Sequence, residues 1–375
     1  MQNFIPVNEP LLDGNEKKYI NECIDTGWIS SEGPFVERFE KSFAEYNSRK
    51  YGIAVSNGTA ALEIAVAALG LSVGDEVILP TFTIISCANA IIKAGAVPVP
   101  VDSCADTWNM NVDLIEEKIT EKTKAIMAVH IYGLPVDMDP VLELAGKYNL
   151  KIIEDAAEAI GLDYKDRKCG SFGDVSTFSF YPNKHITTGE GGMILTDDED
   201  VYGACREYRN LCFQPGKRRF VHEKIGWNYR ITNIQAALGL AQLEKLDEHI
   251  IRKREIGALY QSLLSDIKGI VLPLEKTNYA ENIYWVFSIL IQNDNKLKTD
   301  DVCRELAKLG IGTRPFFWPI HQQPVFLKKG LFANERFSVS EYIAGRGFYI
   351  PSGLAISNEQ IMIVAGALKK ILIGA

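Results

Sequence analysis

The sequence predicts an α/β protein in two parts: a mostly parallel sheet covered by helices on both faces, followed by a smaller α+β part. Three observations predict it. From Tyr51 to Ile153 short apolar runs alternate with stretches of helical spacing, the pattern of strands joined by crossover helices. Beyond Leu264 that alternation gives way to one strand-like run between helical ones. A chain of 375 residues is also long for one small core and suits a large and a small domain.

Taken in order, Glu16 to Thr26 and Pro34 to Tyr46 have helical spacing, separated by a turn at Gly27-Trp28-Ile29-Ser30. Strands are expected at Gly52–Val55, Val77–Leu79, Val97–Val101, Ala125–Val129 and Lys151–Ile153, with helices at Thr59–Leu69, Ile84–Ala94, Asp113–Ile119 and Pro140–Tyr148. Asp174 to Thr196 then reads as two strands around a loop. Val175, Thr177 and Ser179 alternate, Met193 to Thr196 forms a second apolar run, and Pro182-Asn183 and Gly189-Glu190-Gly191-Gly192 keep the chain between them out of a helix. An irregular basic loop, Pro215 to Phe220, precedes a long helical pattern from Ile231 to about Leu264. Tyr284–Ile291 reads as a strand, and Thr299–Leu309 and Glu359–Leu372 as helices.

Composition narrows the function. Hydrophobic residues make up 47% and charged residues 23% of the chain, with a net charge of -8, which disfavours non-specific nucleic-acid binding. Seven scattered cysteines without a CxxC pair suit a reducing compartment and fit neither a disulfide framework nor a zinc site. The first residues lack the basic and apolar regions of a signal peptide. Glu63 and Lys93 interrupt the longest apolar stretches, so no membrane span is expected and the protein is expected to be cytoplasmic.

Chemistry is suggested by three features at expected strand ends. Lys184 lies on the loop between two strands, where an inward amine loses hydration, becomes neutral and can form a Schiff base; an ordinary loop lysine is a solvated charge. Ser56-Asn57-Gly58-Thr59-Ala60 joins a strand to a helix. Gly58 and the free N–H groups there would seat a phosphate, although Asn and Thr also cap helices without any ligand. Asp155 ends a buried strand and could cap a helix, or it could hold a pyridine nitrogen protonated. Lysine, aspartate and a phosphate seat together are what pyridoxal 5'-phosphate requires.

SNGTAAL, PTFT, EDAAEA, FSFYPNKHITTGEGGM and GWNYRITNIQAA, in that order, resemble the nucleotide-sugar aminotransferases of the DegT/DnrJ/EryC1/StrS group, over nearly the whole chain. The resemblance implies the fold type I aminotransferase architecture and a homodimer with active sites shared across the interface. The change of pattern along the chain divides it into a large cofactor-binding domain at 41–250, a small C-terminal domain at 251–375, and N-terminal helices within 1–40 packing with the small domain. The resemblance assigns Lys184 to the cofactor bond and proton transfer, Asp155 to the pyridine nitrogen, Glu158 to the ring hydroxyl side, and Gly58, Thr59 and Ser179 to the phosphate. Asn228 would reach the phosphate from the neighbouring subunit, and Arg314, His321 and His185 would lie near the sugar nucleotide. The implied reaction moves an amino group from L-glutamate to a nucleotide-linked 4-keto-6-deoxy sugar, with a GDP-linked substrate aminated at C4 favoured over UDP- or dTDP-linked sugars and over C3. Related chains that remove a hydroxyl carry histidine in place of the lysine; here Lys184 precedes His185. Ile84 stands where the group usually has a ring-stacking aromatic, and Phe82 is the candidate to compensate.

Other readings are weaker. A nicotinamide dehydrogenase would need GxGxxG after an early strand, which the sequence lacks. A non-catalytic, cofactor-binding regulator would be expected to carry a DNA-binding module. His130 is expected to be a satisfied core histidine, His222 and His249 surface residues, and Lys217-Arg218-Arg219 a solvated loop, with contact to a substrate diphosphate as its functional alternative.

Overall fold

The computed structural model describes residues 4–214, 216–292 and 297–373; Pro215, at the start of the expected basic loop, lies outside them. A seven-stranded sheet runs in the order Tyr51–Val55, Gly192–Thr196, Val175–Ser179, Lys151–Asp155, Thr123–Val129, Glu76–Pro80, Val97–Val101. Gly192–Thr196 is antiparallel to both neighbours, and the other pairings are parallel. The expected mostly parallel sheet is therefore present, with one reversed strand that brings the chain back after Lys184.

Side-chain alternation builds the two layers. Ala54, Ile126, Ala128, Ile152, Phe178, Met193 and Leu195 face one core, which also takes Phe35, Phe39 and Phe43 from helix Pro34–Tyr46 and Ala236 and Leu240 from helix Asn233–Leu243. Ile53, Val55, Val77, Leu79, Ala125, Met127, Ile153, Val175 and Ile194 face the other core, under helices Gly58–Ala68 and Ile85–Lys93. Burial on both faces explains the near-continuous apolar runs of these strands.

A second sheet, entirely antiparallel, has the order Ile270–Val271, Phe287–Ile291, Gly347–Ile350, Arg314–Pro315. Its core joins Phe287, Ile289 and Phe348 to Ile256 and Tyr260, to Val302 and Leu306, and to Ile361 and Val364. Several expectations change here. Helices Glu16–Thr26 and Pro34–Tyr46 have the expected bounds, but they pack against helix Asn233–Leu243 of the large sheet; among the first residues it is Ile5 that joins the small core. The long pattern from Ile231 is two helices, Asn233–Leu243 and Leu246–Leu264, and a Thr232–Gln235 capping box fixes the first start. Asp113–Ile119 is two short 3₁₀ turns. The strand expected from Tyr284 begins at Phe287, since Tyr284 is left-handed, φ 47°. Among the described residues, no helix is long and apolar enough to cross a membrane.

Candidate active site

The carboxyl ends of the parallel strands open into a cavity of about 680 Å³ lined by Asn57, Gly58, Thr59, Asp155, Glu158, Ser179 and Lys184, among others. Six of the ten residues singled out in the sequence thus meet in one place, as expected for ligands of open α/β sheets. Lys184 follows strand Val175–Ser179 on the connection to Gly192–Thr196. Its side chain is 9% exposed, and its Nζ lies 3.7 Å from Glu158 Oε1 and 3.8 Å from the centroid of the Trp285 ring. Burial pulls the amine below the usual lysine range, while Glu158 and Asp155 oppose that shift.

Asp155 ends its strand, buried. Its Oδ1 accepts the Ala157 N–H at 3.1 Å and its Oδ2 the Cys87 thiol at 3.4 Å. Burial raises its pKa; the Ala157 N–H, Lys184 and the Cys87 thiol partly offset this. Glu158 Oε2 accepts the Tyr132 N–H at 2.9 Å. Its carboxyl is pushed up to about 7 by burial, against the pull of Lys184 and that N–H. A carboxyl poised there beside a depressed amine is the sort of pairing found in proton-transfer sites.

The cap expected at Asn57 is present, and the same helix start lines the cavity. Asn57 Oδ1 caps the helix by accepting the Ala60 N–H at 2.8 Å, while Gly58 and Thr59 at the same helix start line the cavity. A Cβ on Gly58 would sit 2.7 Å from Ser179 Cβ, so only glycine lets the helix start approach the strand end this closely. Thr59 Oγ1 and Ser86 Oγ lie 2.9 Å apart. Open helix N–H groups with three hydroxyls around them suit a phosphate, Lys184 suits a carbonyl, and Asp155 suits a protonated ring nitrogen. The residues present therefore fit pyridoxal phosphate.

Four expected residues lie off the cavity lining. Asn228 is exposed. Arg314 is exposed too, paired across the small sheet with Tyr349, which does line the cavity. His321 is buried, with Nδ1 2.7 Å from Thr81 Oγ1 and Nε2 3.1 Å from Glu341 Oε1. His185 is buried behind the loop with Nε2 3.3 Å from the Ile283 carbonyl, and burial pushes it down to about 3. As placed, neither histidine ring faces the cavity.

Three further expectations are settled by packing. His130 is the core histidine it was expected to be: Nε2 lies 3.0 Å from Glu154 Oε1 and Nδ1 accepts the Val136 N–H. His222 is exposed as expected, but His249 is buried against the His185 carbonyl. Phe82 does not replace the missing aromatic, because it is fully buried among Tyr132, Phe316 and Phe317. Ile84 does stand on the cavity wall, and the aromatic lining comes from Trp285, Tyr349, Phe317, Tyr181 and Tyr229. None of those five belongs to the residues singled out in the sequence: Trp285 sits in a run, YWVF, that reads as plain strand.

Comparison with known proteins decides between the readings. Residues 10–369 match the DegT/DnrJ/EryC1/StrS aminotransferase family. The chain belongs to this family. It is a pyridoxal-phosphate-dependent sugar aminotransferase, taking an amino donor and a keto sugar. The chain is 46% identical over 367 residues to a GDP-perosamine synthase of Escherichia coli O157:H7, covering 98% of each. Among solved structures it superposes on Helicobacter pylori PseC, an aminotransferase of pseudoaminic acid biosynthesis, with a TM-score of 0.93, 25% identity and full coverage of both chains. Spr1654 of Streptococcus pneumoniae, solved in its PLP form, matches with a TM-score of 0.91 and 26% identity over 99% of each chain. The same protein has been solved in a PMP form.

Proposed function

We propose that this aminotransferase moves the amino group of L-glutamate to C4 of GDP-4-keto-6-deoxy-mannose, giving GDP-perosamine. The observation that carries the reading is the joining of Lys184, Asp155 and the Gly58 helix start in one cavity, in a chain 46% identical to a GDP-perosamine synthase. When bound, pyridoxal phosphate supplies the carbonyl that takes up the amino group and a ring that withdraws electrons from the reacting carbon.

The protein's own groups then divide the work. Gly58, Thr59 and Ser179 hold the phosphate end. Asp155 would face the ring nitrogen, whose positive charge would offset the burial that disfavours the carboxylate. Lys184, its amine pulled below the usual lysine range by burial, takes the donor's α-proton and returns it one carbon away, a transfer worth roughly 10²–10⁴-fold. Glu158, 3.7 Å from that amine, is placed to exchange charge with it. In this reading Asn228 and the Lys217-Arg218-Arg219 loop serve the second subunit of a homodimer, consistent with their exposure. Arg314, beside Tyr349, is on the sugar-nucleotide side.

The test is turnover of purified protein with L-glutamate and a panel of GDP-, UDP- and dTDP-linked keto sugars, with products identified by NMR. The expected outcome is amination of the GDP-linked 4-keto sugar at C4. Preference for a UDP- or dTDP-linked sugar, or amination at C3, would replace this substrate by that one. Binding of the cofactor with no amine transfer from any donor would favour a non-catalytic regulator.

A further inference from the structure

Trp285 is the residue in contact with Lys184 that none of the cofactor assignments uses. It lies outside the large sheet, just before strand Phe287–Ile291, yet its ring faces the cavity. Three contacts fix it there. The Lys184 Nζ sits 3.8 Å from the ring centroid, the indole N–H donates to the Asn183 carbonyl at 2.7 Å, and the Trp285 carbonyl accepts from Lys253 Nζ at 3.0 Å. Lys253 also donates to the Ser352 carbonyl at 2.6 Å, so helix Leu246–Leu264 ties the Trp285 backbone to the small-sheet region. Asn183 immediately precedes Lys184, so the indole N–H pins the backbone of the very loop whose amine lies over the ring.

We propose that Trp285 is a working residue of the transamination: its π face stabilises the Lys184 ammonium once that amine has taken up a proton, and its N–H fixes the loop that presents it. The need follows from the chemistry. A lysine that has accepted a proton must keep it, as an ammonium, until it is delivered to the next carbon. In this cavity an ammonium is poorly hydrated. The groups facing it are the carboxyls of Glu158 and Asp155 and the thiol of Cys87, with Lys253 and His185 behind. The two carboxyls are themselves penalised by burial, and Asp155 is taken up by the ring nitrogen in the proposed function. An indole face attracts a desolvated cation without needing a charge of its own. Tryptophan also adds the N–H anchor that phenylalanine lacks.

This inference rests on Lys184 being the reacting amine, and its test separates the two ideas. The protein is loaded with pyridoxamine phosphate, which leaves the Lys184 amine free, and acetylation of Lys184 by acetic anhydride is followed against pH by mass spectrometry. Trp285→Phe and Trp285→Leu both lose the N–H anchor and differ chiefly in the ring. The expected midpoint is higher in the Phe variant than in the Leu variant by about half to one pH unit, and the Leu variant should lose more of kcat than of KM. Equal midpoints, or a higher one in the Leu variant, would make Trp285 a packing residue only. Should either variant fail to fold, site-specific replacement of Trp285 by tryptophans of increasing ring fluorination keeps shape and N–H. The midpoint should then fall stepwise with fluorine number, and a flat series overturns the proposal. The reading of Lys184 fails by a different result, full transamination by Lys184→Ala.

Discussion

Gly58→Ala probes the phosphate seat with a single methyl group. The added Cβ would lie 2.7 Å from Ser179 Cβ, 3.1 Å from its Oγ and 3.4 Å from its Cα. The hydroxyl can rotate away, but the Cβ is fixed to the backbone of a strand paired on both edges, so the helix start or the strand end must move. Overpacking of this kind costs about 1–3 kcal/mol. If the strain falls on the bound state, cofactor affinity drops roughly 5- to 150-fold. The assay is titration of cofactor-free protein with pyridoxal phosphate, followed by absorbance, with thermal unfolding to register strain in the unloaded protein. Ser179→Gly removes the clashing atom, leaving the nearest contact at the 3.4 Å Cα. In that background Gly58→Ala should cost little, so the two substitutions couple. Unchanged affinity and stability in Gly58→Ala, or an equal loss with and without Ser179→Gly, would refute the close-approach argument.

Two predictions concern buried charge away from the cofactor. Glu154 accepts the N–H groups of Gly170 at 2.5 Å and Phe172 at 2.9 Å and the Ser176 hydroxyl at 3.0 Å, and it faces His130. Burial works against its charge, yet His130 and these donors hold its carboxyl below the usual range. Glu154→Ala strands all of them, and chemical denaturation should show a loss of about 3–5 kcal/mol at neutral pH. In the wild type this contribution is present above the ordinary carboxyl range and is lost as pH falls through the depressed folded value. For Lys253 the charge is penalised by burial, but the slope has the same sign, in a higher pH window. Burial pulls the amine down to about 7 from an ordinary 10.5, so the unfolded chain binds more protons between those values and wild-type stability rises with pH across that window. Lys253→Met should remove that slope, whereas parallel stability–pH curves for the two proteins would contradict it.

How far the sequence could be read follows from what each signal depends on. The parallel sheet was legible because strands such as Ile152-Ile153 and Ala125 to Val129 are buried on both faces and remain apolar throughout. Lys184, Asp155 and Gly58 were legible because strand ends and glycine turns are local features, and the sheet geometry brings them together. The small-sheet residues that share the cavity with Lys184 were not. Trp285, Tyr349 and Phe317 come from distant segments, and their ring positions depend on how that sheet docks, which no local periodicity encodes. The same holds for His249, whose helix looks amphipathic enough for a surface position but lies under the Lys184 loop. Glu244-Lys245 breaks the long helix with two good helix formers, so propensity gave no warning of it. The N-terminal helices show the complementary limit. Their spacing fixed their bounds, while the choice of partner, Phe39 and Phe43 against Phe178 and Phe180, is a property of the packed core.

The mechanism turns on which amine carries the cofactor, and among the described residues two lysines line the cavity, Lys184 and Lys93. Lys93 is exposed and paired with Glu63 at 2.5 Å; Lys184 is buried, and burial pulls its amine below the usual lysine range. Borohydride reduction of the yellow protein, followed by proteolysis and mass spectrometry, should place the phosphopyridoxyl mark on the peptide containing Lys184. A mark on Lys93, or on any lysine outside the 180–191 connection, would contradict it.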